Sequence, residues 1–404
     1  MAQAPRTKRS NGSETLEIQS GHLGPLGPCR FDIRPLTVLI GRQGTGKSLV
    51  AQVLYFFRGL SDLVHFDAAT RRSDEPQAAD PDMVVQRIVN GLRSQRRSFA
   101  SLTVPNVGLR WSSGSVASKS LSFEAQHETR EILPSKTLRS AVTGILRKRR
   151  PPRSALFIPT ERLFYTLALS PASMSVIGAT IILELFSQFM EEAGRIQAEW
   201  IDAGPDTEHG RWIREHLRSE LGGEARRRGS SWRWSFGTSE DPRDIDLDMA
   251  SSGQRANWPL MLLPQALFSL RAAGELGEPF TIYVEEPEIH LHPTAERAIV
   301  EVLAYLVNSG FRVVVTTHSL TVLYALNNLM LASSLAEGTL GDEIPVELRL
   351  DPENVAAYLL DDGGKVVSLL DREQGMIDEQ ALGAVSDEMA GQMNRIFAEQ
   401  ARKR

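Results

Sequence analysis

The sequence predicts an α/β fold with a mixed sheet, a small antiparallel β subdomain and a helical-hairpin insertion. Three observations point there. Leu36-Thr-Val-Leu-Ile40 is a short β-branched strand that runs into a glycine-rich loop and then into a helical stretch, Ser48 to Phe57. Two further buried-type strands, Phe280 to Val284 and Phe311 to Thr316, each end in polar residues. Two helical stretches, Met174 to Ala203 and Asp206 to Arg228, flank the breaker Ala203-Gly-Pro205 and read as an αα-hairpin.

The chain has 404 residues, 42% hydrophobic and 24% charged, enough to bury a substantial core. A net charge of -5 gives no global sign of a nucleic-acid binder. Cys29 is the single cysteine, which excludes an internal disulfide framework and fits a reducing compartment. The start, Met1 to Gly12, lacks an apolar signal-type run, and Val176 to Leu185 is too short to span a bilayer. The expectation is a cytoplasmic protein that does not engage a membrane.

In chain order, Thr15 to Ile18 and Arg30 to Ile33 alternate across a Gly/Pro turn and predict an antiparallel unit ahead of Leu36. Residues 1–60 therefore read as an N-terminal lobe. From 61 to 153 the character changes: 16 Lys/Arg stand against 7 Asp/Glu between Arg71 and Arg153. This basic insertion carries helices at Pro81 to Arg97 and Lys136 to Arg150, and strands at Ser101 to Trp111 and Lys119 to Ala125. Residues 154–173 resume a core strand, Ala155 to Ile158. Residues 174–230 hold the hairpin, expected as a short coiled-coil-like arm, and 231–334 a second lobe opening with the strand Trp232 to Phe236. Residues 335–404 form a C-terminal extension with strand-like runs at Val346 to Leu350, Val355 to Leu360 and Val366 to Leu370, and a final amphipathic helix.

The chemistry begins at Gly41-Arg42-Gln43-Gly44-Thr45-Gly46-Lys47-Ser48, a phosphate-binding P-loop. Glycines at Gly41, Gly44 and Gly46 let backbone approach phosphate, and the N–H groups of Gln43 to Ser48 line a cradle at a helix N-terminus. Lys47 is placed for the β- and γ-phosphates of ATP, and Ser48 for Mg²⁺. The strand Thr281 to Val284 runs into Glu285-Glu286-Pro287-Glu288. Glu285 is the candidate metal ligand and Glu286 the base that orients water, beyond a strand's carboxyl end where α/β sheets keep their chemistry. His318 follows another buried strand and can donate to the γ-phosphate or the attacking water. Ser251-Ser252-Gly253-Gln254 opens a long apolar helix as either a second anion site or a plain N-cap.

These four elements, in this order, are similar to the ATPases of the ABC superfamily, in the SMC/Rad50/OLD-like branch. Within it, Glu-Glu-Pro-Glu followed by His290-Leu-His-Pro293, together with Ile158-Pro-Thr-Glu-Arg162, resembles the OLD-like "AAA-type" ATPases. The resemblance spans about Leu36 to Ser319 and implies an ABC-type head whose P-loop NTPase site hydrolyses ATP with Mg²⁺. It implies that Ser252 and Gly253 of one protomer close on nucleotide held by Lys47 of another, in a homodimer or higher homo-oligomer, with Gln254 also counted among the nucleotide-binding residues. Arg162 contacts nucleotide or stabilises its own turn, and both readings stay open. No Asp-x-Asp stretch with an upstream Glu follows His318, so the Toprim nuclease of many OLD proteins is not expected. The resemblance thus implies a sensor or switch controlling a separate effector, a nuclease or toxin, in antiphage defence. The alternatives are an SMC-like ATPase of DNA repair or maintenance, with nucleic acid bound through 71–153, and a nucleotide-gated scaffold with little hydrolysis. A transporter subunit fits poorly, because the chain shows no membrane segment.

Overall fold

The computed structural model describes residues 14–70, 79–92, 106–114, 120–149, 151–165, 180–198, 207–229, 231–238, 241–336, 343–378 and 391–393. The chain enters through β1 (Glu14–Ser20) and β2 (Cys29–Ile33), an antiparallel pair, and then β3 (Leu36–Ile40), whose residues are all buried. Helix α1 (Lys47–Arg58) leaves the glycine loop, followed by α2 (Leu60–Thr70) and α3 (Pro81–Gly91). Strands β4 (Asn106–Ser113), β5 (Ser120–Gln126) and β6 (Ile132–Pro134) and helix α4 (Lys136–Leu146) complete this half. The stretch 61–153, read from sequence as an insertion, grows onto the first two strands. β4 pairs with β1, setting Trp111 opposite Leu16, and the sheet runs β2-β1-β4-β5-β6.

The second half begins with β7 (Arg153–Ile158) and the short helix α5 (Arg162–Tyr165). Helices α6 (Ile181–Ile196) and α7 (Glu208–Leu221) occupy the predicted hairpin, whose outer residues 174–179 and intervening residues 199–206 lie outside the described set. They do not project as an arm: both pack on a later helix, and their buried faces join the main core. The helix expected to reach Arg228 stops at Leu221, because Gly222 takes a left-handed conformation (φ 68°) that a side chain resists. A three-stranded antiparallel sheet follows: β8 (Glu224–Arg228), β9 (Ser231–Gly237) and β10 (Pro242–Asp246).

Helix α8 (Ser252–Ala272) is buried on every side from Ala256 to Leu270, so it forms an inner layer between the sheet and α6 and α7. After it come β11 (Leu276–Glu285), α9 (Pro293–Asn308), β12 (Arg312–Thr317) and α10 (Leu320–Ala332). Residues Val346 to Leu348 form a 3-10 turn instead of the expected strand. Pro345 fixes the preceding φ and its carbonyl accepts from the Leu348 N–H at 3.0 Å. The segment read as an extension returns to the centre of the molecule. Strand β13 (Val355–Leu360) pairs in parallel with β3, and β14 (Val366–Ser368) closes that edge antiparallel. β15 (Leu370–Asp371) and β16 (Met376–Ile377) make a small ribbon. The expected final helix lies outside the described residues except for 391–393.

The main sheet has the order β14-β13-β3-β12-β11-β7, parallel throughout except at β14. Strand periodicity divides its side chains between two cores. Leu36, Val38, Ile40, Ile282, Val284, Val313 and Val315 face the core with α8, whereas Leu39, Tyr283 and Val314 face α1 and the antiparallel sheet. A buried ionic knot joins the two sheets. The Glu14 carboxylate pairs with Arg58 and with Arg312 (2.7 Å) and accepts from Trp111 Nε1 (2.8 Å), tying β1, α1, β12 and β4 together. Breaking one member would leave a buried charge uncompensated.

Candidate functional site

Adjacent parallel strands β3, β12 and β11 end on the same side of the sheet, and each delivers a piece of one site. From β3 comes the glycine loop. Gly46 caps α1 without any side-chain hydrogen bond, so the helix offers its first N–H groups to an anion. Lys47 is buried, and its Nζ donates to the carbonyls of Gly41 and Arg42, both at 2.7 Å. Burial lowers its pKa, while Glu286, Glu288 and Glu285 oppose that shift. Thr45 is turned inward, its hydroxyl donating to the Arg42 carbonyl at 2.9 Å, and Gln43 is exposed. The β13–β14 turn flanks this loop through the exposed Arg42–Asp362 ion pair at 2.8 Å.

From β11 come the carboxylates. Glu285 is 3% exposed; its Oε2 accepts from the N–H of Thr160 at 3.2 Å and lies 3.4 Å from the Thr160 hydroxyl. Burial, reinforced by Glu161, pushes its carboxyl up to about 7, while the nearby Ser48 hydroxyl favours the charged form. Its Oε1 is buried without a hydrogen-bond partner. An orphaned carboxylate oxygen beside a P-loop serine is the donor set that suits Mg²⁺, which takes one or two carboxylate or hydroxyl ligands and completes its shell with phosphate and water. Among the described residues no cluster of three or more acidic, His or Cys side chains forms a separate metal cage.

Glu286 sits in a left-handed conformation (φ 43°), costly for a residue with a Cβ. Two anchors hold it there. Its N–H donates to the Thr316 carbonyl at 2.9 Å, and its carbonyl accepts from Arg162 Nη2 at 2.7 Å. Arg162 is fully buried and donates also to the carbonyls of Ala256 (2.9 Å), Pro159 (3.1 Å) and Glu285 (2.6 Å). This arrangement supports the turn-stabilising reading of Arg162. Its guanidinium is spent inside the protein on backbone carbonyls, and burial brings its pKa down to about 10. The sequence signal for this role was weak, because an arginine four residues past a strand does not reveal its partners.

From β12 comes His318, whose half-exposed ring points Nδ1 at Glu288 Oε1 (3.3 Å) and at Glu286 Oε1 (3.6 Å). The contact with Glu286 raises the imidazole above its ordinary range and lowers the Glu286 carboxyl. Lys47, Ser48, Glu285, Glu286 and His318 thus share one site. Thr160 and Glu288 belong to it as well, and the motif reading had given neither a role.

The serine–glycine segment lies elsewhere. Ser251 and Gln254 form a reciprocal capping box on α8, at 3.2 and 3.0 Å, and Gln254 Nε2 donates to the Leu221 carbonyl at 2.9 Å. Gln254 is thereby committed to the fold, which is the N-cap alternative and not a nucleotide contact within its own protomer. Ser252 is exposed. Gly253 is pressed on the His290 carbonyl: a Cβ there would stand 2.5 Å from that oxygen. Downstream, His292 caps α9 ahead of Pro293.

Part of the basic character of 71–153 is paired locally, with Asp67 and Glu192 supplying charge from outside the stretch. Arg87 pairs with Asp67 (2.5 Å), Arg139 with Asp82 (2.6 Å) and Arg153 with Glu192. Arg147, Lys148 and Arg149 are exposed at the end of α4, while seven of the 16 cations lie outside the described residues.

A family profile described as an AAA ATPase domain matches residues 196–323, from the end of α6 through the start of α10. No curated protein matches the chain. Three solved structures align over most of it, each at 12% identity. They are an SMC head bound to the C-winged helix domain of ScpA (TM-score 0.45, 88% of this chain and 97% of that one), the SMC head domain from Thermotoga maritima (0.38, 88% and 98%), and a Pyrococcus furiosus SMC head with an extended coiled coil bound to the C-terminal domain of ScpA (0.41, 93% and 99%). The functional reading accordingly rests on the geometry above and on the matched domain. Among the described residues no helix is long and apolar enough to cross a membrane.

Proposed function

We propose that the chain is an ATP-binding and ATP-hydrolysing enzyme whose nucleotide state works as a switch. The observation that carries this is the convergence of Lys47, Ser48, Glu285, Glu286 and His318 at the ends of three neighbouring parallel strands. In this reading the N–H groups at the start of α1 bind the phosphates, and Lys47 exchanges its loop carbonyls for the β- and γ-phosphates. Ser48 and Glu285 would hold Mg²⁺, which would supply neutralisation of phosphate charge. Glu286 accepts a hydrogen bond from the attacking water, and His318 stabilises charge on the γ-phosphate.

Ser252 and Gly253 are placed, in this proposal, to complete the site of a second copy, so that ATP binding drives dimerisation. The motif resemblance supports an output through a separate nuclease or toxin in antiphage defence. The exposed Arg147, Lys148 and Arg149 favour a second reading, direct DNA binding, which salt-sensitive duplex binding lost on their neutralisation would establish.

The test is steady-state ATP hydrolysis combined with nucleotide binding. Glu286→Gln should bind ATP and lose turnover by at least about a hundredfold. Ser252→Arg should bind ATP and also fail to turn over. Full turnover in Glu286→Gln refutes the catalytic assignment, and full turnover in Ser252→Arg refutes the composite site.

A further inference from the structure

Glu288 is a buried carboxylate that the hydrolytic scheme leaves unused. Its side chain is 5% exposed, and its Oε1 accepts from the Thr317 hydroxyl at 2.7 Å and from the His318 backbone N–H at 2.9 Å, while standing 3.3 Å from His318 Nδ1. Its Oε2 is buried with no hydrogen-bond partner. A carboxylate kept half-satisfied in a protein interior is costly; the buried Arg162 and Lys47 offset its charge, and its three contacts all fall on one two-residue segment ending at His318. Glu286 lies on the far side of the same Nδ1, 3.6 Å away. Two carboxylates therefore compete for one ring nitrogen.

We propose that Glu288 is a positioning residue for His318: it grips the backbone N–H and Nδ1 of the histidine, presents Nε2 outward, and frees Glu286 to orient water. The inference rests on the ATPase reading above and deepens it. A hydrogen bond at one imidazole nitrogen sets what the other offers. With Nδ1 committed to a carboxylate, Nε2 is the nitrogen left to face a phosphate. The charged groups that face His318 are Glu286, Glu288 and Lys47, the last of which disfavours an imidazolium. Glu296 bonds the neighbouring Ser319 hydroxyl at 2.6 Å and completes the acidic surroundings of the segment.

Glu288→Gln separates positioning from packing, because an amide oxygen still accepts from Thr317 and from the His318 N–H while the charge disappears. The first measurement is the His318 imidazole titration by NMR on histidine-labelled full chain without nucleotide, with the resonance identified by its loss in His318→Gln. In Glu288→Gln the midpoint should move to lower pH; an unmoved midpoint overturns the proposal. The second is a kinetic split: kcat should fall roughly tenfold with KM for ATP unchanged, as for a group acting through a catalytic partner. A raised KM at unchanged kcat also overturns it. Glu288→Asp, which keeps the charge, should recover part of both effects. Failure of the ATPase reading looks different: Glu286→Gln would retain turnover while the NMR titration still reported on Glu288.

Discussion

Replacing Arg162 with methionine tests the part of the site that its sequence left most open. The change keeps a long side chain but removes donors to four backbone carbonyls: Pro159, Ala256, Glu285 and Glu286. These carbonyls belong to the loop after β7, to α8 and to the acidic turn, so their connection through one guanidinium is lost at a single stroke. Removing one member of a fully buried charged network costs about 3–5 kcal/mol. Unfolding entropy of about 2.1 cal/mol/K per residue gives roughly 0.85 kcal/mol/K for a chain of 404 residues. The expected fall in Tm by differential scanning calorimetry is therefore about 4–6 °C. Arg162→Lys should lie between the two, because an ammonium cannot fork to several carbonyls. The exposed Arg372→Met, whose partner Glu353 lies 3.5 Å away, serves as a control and should leave Tm unchanged. An Arg162→Met protein with unaltered Tm but weakened ATP binding would refute this account and restore the nucleotide contact.

Gly253→Ala should destabilise, although alanine is ordinarily the better helix former by about 1 kcal/mol. The added Cβ meets the His290 carbonyl at 2.5 Å, and overpacking of that kind costs about 1–3 kcal/mol, so a raised Tm would contradict the structure. Cys29 should react with a disulfide reagent at pH 8 about tenfold more slowly than an open thiol, because burial pushes its pKa up to about 11 and the greater nucleophilicity of the thiolate offsets only part of its scarcity. Unfolding in urea should abolish the difference, and a native rate equal to that of free cysteine would refute it.

The sequence alone located the glycine loop, the acidic strand end and His318 beside three buried strands. Each depends on residue types at fixed spacing next to a buried strand, and backbone geometry is local enough to be written that way. Tertiary structure decided the rest. Nothing in the spacing told that β4 would pair with β1, or that β13 would return some 315 residues later to lie beside β3, because such pairings are settled by which apolar faces find each other. The arm-like hairpin became core packing for the same reason: the apolar faces of α6 and α7 had α8 to cover. Arg162 and Glu288 show the limit most clearly. Their roles are fixed by partners across the fold, and a buried guanidinium or carboxylate in a motif reads the same whether it faces ligand or backbone until those partners are in place.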